Sequence, residues 1–197
     1  MTKSERPPVL VRKDDGFELS LSPDERVFVS SIPTQLAEAL DAISGSDQQL
    51  PANLRRLFPA AYPTDTSAEA SYVSLVRADL IEHHRNALSV LARTASATHL
   101  TDDEAEAWLT ALNDLRIVIG TSLGVTEDMV QPSPADPRHA EWICYDYLTY
   151  LQSLVVDALA DLLPSIPPTP DDTTPDDPWG DPPGGLRWDG TPVPPEP

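Results

Sequence analysis

Apolar residues recur at steps of three and four along most of this chain, and the breaks in that rhythm mark where its elements begin and end. The clearest stretch runs from Trp108 to Val125, where Trp108, Leu112, Leu115, Ile119 and Leu123 share one face of a predicted buried helix. Thr101-Asp102-Asp103-Glu104 ahead of it has the spacing of a capping box, and Gly120 and Gly124 mark where it should end. A long helix is predicted from Thr66 to Arg93, with Tyr72, Val76, Asp79, Leu80, His83, Ala87, Val90 and Leu91 along its core-facing side. Another, from Asp136 to Leu163, puts Cys144, Leu148, Leu151, Val155, Ala158 and Leu162 in heptad-like register. The first helix opens at Ser22-Pro23-Asp24-Glu25, a second capping box, and carries Val29, Ile32, Leu36, Leu40 and Ile43 before Ser44-Gly45-Ser46 ends it. Pro33 lies inside this run, removes one backbone hydrogen bond, and should kink or divide the helix.

The period changes at the N-terminus. Val9 to Arg12 and Phe17 to Leu21 are short β-prone runs around Lys13-Asp14-Asp15-Gly16, which predicts a hairpin over residues 9–21. Leu50 to Asp65 holds three prolines around Asn53-Leu54-Arg55-Arg56-Leu57-Phe58-Pro59, read as a single helical turn within an ordered connection packed over the helices. Long helices with polar links predict a mainly α fold, an antiparallel four-helix bundle closed at one end by the hairpin, over residues 1–163. From Pro164 to Pro197 there are twelve prolines, seven acidic residues and one basic residue, a composition that predicts a disordered tail. Trp179 and Trp188 in that tail are apolar anchors of the kind that unstructured docking segments carry.

Charge narrows the partners. The formal net charge is -19, from 32 acidic and 13 basic residues, which opposes direct nucleic-acid binding and approach to an anionic membrane, and favours a protein partner. A single cysteine allows no internal disulfide and no cysteine-rich metal framework. No apolar run approaches the length of a membrane span, and no signal-peptide core is present, so a cytoplasmic location is expected. Oligomeric state is not legible in these features.

The candidate chemistry sits inside the helices. Asp79 and His83, one turn apart, have the spacing to orient an imidazole for acid or base work or to begin a metal site. The plainer reading is a buried histidine held by a carboxylate, with Arg116 from a neighbouring helix completing the set. His84, His99 and His139 are read as lying on other faces or in loops, and no Glu-x-x-His supports a di-iron centre, so no metal or other cofactor is expected. Asn113 and Arg116 fall on one flank of the apolar stripe and Asp114 on the other, which suits either tethers to two neighbouring helices or a patch for a partner peptide. Cys144 is the candidate redox residue, but its register with Leu148, Leu151 and Val155 points to an inert buried thiol. Arg55 and Arg56, an adjacent pair of arginines, are a candidate docking point.

Three runs resemble one actinobacterial family. They are Leu54-Arg55-Arg56-Leu57-Phe58-Pro59-Ala60-Ala61-Tyr62, then Ala107-Trp108-Leu109-Thr110-Ala111-Leu112-Asn113-Asp114-Leu115-Arg116 with Gly120, and Tyr147-Leu148-Thr149-Tyr150-Leu151-Gln152. Together they are similar to the AosR oxidative stress regulators, formerly a domain family of unknown function, over Val9 to Leu163. The resemblance implies a cytoplasmic, non-enzymatic regulator of transcription under oxidative stress that contacts a sigma factor or RNA polymerase. An internal disulfide switch does not transfer, because Cys144 stands alone. The alternative is an adaptor or accessory protein in proteolysis that docks through the Pro-rich tail.

Overall fold

The structure is a computed structural model that describes residues 9–44 and 50–160. Leu10–Lys13 (β1) and Gly16–Leu19 (β2) pair antiparallel, with Leu10 opposite Leu19 and Lys13 opposite Gly16. The hairpin is extended by a third strand, His99–Leu100 (β3), antiparallel to β2 with Phe17 opposite Leu100. Two residues are too few to show an alternating pattern, so this strand left no trace in the sequence reading. It also explains Gly16. That residue has φ +140°, and a Cβ there would lie 2.2 Å from the Leu100 carbonyl oxygen, so only glycine lets the third strand close.

The remaining described residues are mainly helical. Pro23–Ser31 (α1) starts at a reciprocal capping box: Ser22 Oγ accepts from the Glu25 backbone N–H, and the Glu25 carboxylate accepts from the Ser22 N–H at 2.8 Å. Pro33 divides the run as its missing N–H requires, and Pro33–Ile43 (α2) follows with Leu36 and Leu40 buried. Thr66–Thr94 (α3) is capped by the Asp65 carboxylate, which accepts from the backbone of Ser67 and Ala68. Asp102–Leu123 (α4) has the second reciprocal capping box, Thr101 with Glu104, and ends at Gly124 in the left-handed conformation with φ +67°. His139–Ala160 (α5) begins three residues later than the pattern suggested, because Asp136 turns back to accept from the Arg138 N–H at 2.8 Å. The expected tail, with Trp179 and Trp188, lies outside the described residues.

The helix α4 packs against both α3 and α5. Its Trp108, Ala111, Leu112 and Leu115 meet Leu88 and Leu91 of α3 and Leu148 and Leu151 of α5 in one core that also takes in Phe17, Leu19 and Leu100 of the sheet. Each of these leucines and phenylalanines, fully withdrawn from water, contributes on the order of 2 kcal/mol. Two arginines tie the sheet region to the helices. Arg26 donates to the carbonyls of Leu21, Ala95 and Ala97, and Arg12 pairs with Asp102 in the first turn of α4. No helix among the described residues is long and apolar enough to cross a membrane.

Candidate functional site

Polar side chains on both flanks of α4 form a seam through the helical region. On the α3 side, Asp114 is buried and its Oδ2 lies 2.6 Å from Nδ1 of His84. A carboxylate only accepts, so the hydrogen between them belongs to the imidazole. The Phe58 ring packs against the His84 ring in a T-shaped contact with centroids 5.5 Å apart, bringing the 51–58 turn onto this pair. Leu54 and Leu57 of the same turn are buried, which holds Phe58 there. Nearly two turns earlier on α4, Trp108 Nε1 donates to Thr94 Oγ1 at 2.7 Å, and Thr94 in turn donates to the Val90 carbonyl. The largest buried aromatic ring therefore has its one polar atom satisfied.

On the α5 side the groups are half-buried. Arg116 donates through Nε to Thr149 Oγ1 at 2.9 Å and through Nη1 to Gln152 Oε1, and the Gln152 amide donates to Asn113 Oδ1 at 3.4 Å. The Tyr145 ring lies 5.5 Å from the Arg116 guanidinium carbon, within cation–π range. Gly120 makes room for it: a Cβ at that position would stand 3.0 Å from the Tyr145 ring. A glycine inside a helix costs about 1 kcal/mol relative to alanine, so this seat for Tyr145 is bought at some cost in stability.

Several sequence expectations need correction. Asp79 and His83 are both exposed, and the histidine in the seam is His84, which the sequence reading set on another face. Arg116 does not complete a set with an α3 carboxylate, since its partners lie on α5. The sequence carried one signal for His84: Ile81, His84, Leu88 and Leu91 are spaced three, four and three apart, and this is the stripe that α3 buries around the pair. Thr149 and Gln152 lie in the 147–152 run of the family resemblance, whereas Thr94 and Tyr145 give no sequence signal, because a hydroxyl or a phenol on a helix carries no pattern of its own.

Cys144 is half-buried on α5 and lines a groove of about 620 Å³ with Phe28, Ile32, Leu36, Leu54 and Leu115. Burial pushes its thiol above the ordinary value and the nearby Glu141 charge adds to this, which disfavours the reactive thiolate. Arg55 and Arg56 are exposed on the 51–58 turn, where Arg55 Nε donates to the Leu50 carbonyl. Among the described residues, no group of three or more His, Cys, Asp or Glu side chains is placed to hold a metal ion.

The segments that meet here are those on which the resemblance rests: the 54–62 run through Phe58, α4 through Asn113, Asp114 and Arg116, and α5 through Thr149 and Gln152. A family model described as a domain of unknown function, DUF2017, matches residues 5–159. The chain belongs to the DUF2017 family. This DUF2017 chain is 30% identical to an oxidative stress regulator AosR of Mycobacterium leprae, in a match covering 66% of the chain and 69% of the relative. It is 29% identical to the oxidative stress regulator AosR of Mycobacterium tuberculosis H37Rv, with 64% and 67% covered. No solved structure matches it.

Proposed function

We propose that this protein is a cytoplasmic, non-enzymatic regulator of the oxidative stress response that acts by protein contact, with a sigma factor or RNA polymerase as its partner and no cofactor. The observation that carries this reading is the similarity to relatives named oxidative stress regulators, beside a family match over residues 5–159 that takes in the three segments building the α4 seam. The seam's polar groups are engaged with one another across helices, as suits a scaffold that presents a surface. In this reading the long helices form an antiparallel bundle over domain 1–163, and residues 164–197 are a separate extension. The net charge of -19 favours a protein partner over nucleic acid. Affinity capture with the full chain as bait, from oxidant-treated cells, should recover a sigma factor or polymerase subunits; recovery of neither from an intact bait would overturn the reading.

A further inference from the structure

Arg116 is held by a hydroxyl and an amide, and its guanidinium carbon lies over the Tyr145 ring. None of these groups carries negative charge, so the guanidinium is oriented without being neutralised. It opens onto a cleft of about 160 Å³ whose walls include Gly120, Thr121, Tyr145 and a second guanidinium, that of Arg56. No Asp or Glu lines this cleft. Among the described residues Arg56 has no hydrogen bond or ion pair. Two unneutralised cations lining one small cleft repel one another, an arrangement unexpected in a chain of net charge -19.

We propose that this cleft binds the phosphate group of a small molecule, either free phosphate or a phosphate monoester. The charge matches, because two guanidiniums suit a phosphate group that carries between one and two negative charges at neutral pH, whereas a carboxylate carries only one. The geometry matches as well: a planar guanidinium fork presents paired N–H donors to phosphate oxygens, and Arg116 has already spent the ordering cost on its contacts with α5. The site joins the 51–58 turn to α4 and α5, so an occupant would tie those segments together.

Thermal unfolding of the full chain in phosphate, phenyl phosphate and succinate tests this, each against chloride at matched ionic strength. In phosphate or phenyl phosphate well above the dissociation constant, Tm should rise by roughly 3 °C or more. Arg56→Gln, at an exposed position, should lose that rise, whereas Lys13→Gln on the hairpin removes the same charge and should keep it. Arg116→Lys retains the charge, lacks the fork and should reduce the rise. The general stabilisation that phosphate gives by exclusion from protein surfaces is common to all these variants and cancels in the comparison. A larger rise with inorganic phosphate assigns the site to the free ion, and a larger rise with phenyl phosphate assigns it to an ester. No rise beyond chloride, an equal rise in Arg56→Gln, or a larger rise with succinate would overturn the proposal.

Discussion

On its α3 flank, α4 sets a carboxylate only 3% exposed against an imidazole; on its α5 flank it sets a half-buried guanidinium against a hydroxyl and an amide. The difference follows from water. A carboxylate removed from solvent needs a donor close by, and His84 supplies one at 2.6 Å under the cover of Phe58. A guanidinium that keeps solvent contact is screened, so neutral acceptors are enough to orient it and its charge stays available. One helix thus carries a closed flank suited to holding the fold and an open flank suited to meeting a ligand.

Substitutions on the two flanks should separate them by size. Asp114→Ala leaves His84 without its acceptor in an enclosed place and should destabilise the fold by about 3 kcal/mol in denaturant unfolding, with Asp114→Asn costing less because the amide oxygen still accepts. A loss from Asp114→Ala no greater than that from a change on the α5 flank would erase the contrast. Thr94→Val keeps the side-chain shape but strands the buried Trp108 N–H, for an expected loss of about 2 kcal/mol in the same measurement. On the open flank, Gln152→Ala removes the link between Arg116 and Asn113, yet water can replace it, so about 1 kcal/mol is expected.

The start of α4 gives a smaller effect with a pH signature. Glu104 is held below its ordinary value of 4.5, first by the Thr101 backbone N–H and then by Arg93. A depressed carboxylate adds stability that is present above its unfolded value and lost as the pH falls through the folded one. Glu104→Gln should therefore cost roughly 0.5 kcal/mol at neutral pH, and its difference from the parent should vanish in acid, read from midpoints measured between neutral pH and the acid limb. Smallest of all, Asp79→Ala and His83→Ala should each change stability by less than about 0.5 kcal/mol, as exposed positions do.

The rules that were legible in the chain act within a turn or two of one segment. Ser22 with Glu25, Thr101 with Glu104, the division at Pro33 and the stop at Gly124 are all contacts or constraints between near neighbours, and each appears in the structure where the residues predict it. The same local geometry separates Asn113 and Arg116 from Asp114, because successive helical residues are rotated by about 100°. Tertiary packing alone decided what stands opposite them. The helix α3 buries Ala87, Val90 and Leu91 of the predicted stripe together with Ile81 and Leu88 beside it, and only its rotation against α4 turned His84 inward and left Asp79 and His83 exposed. Packing likewise brought β3 to β2 and Arg56 to Arg116, pairs far apart in the chain. Such choices depend on how all the buried volumes fit at once, a quantity that no short window of residues contains.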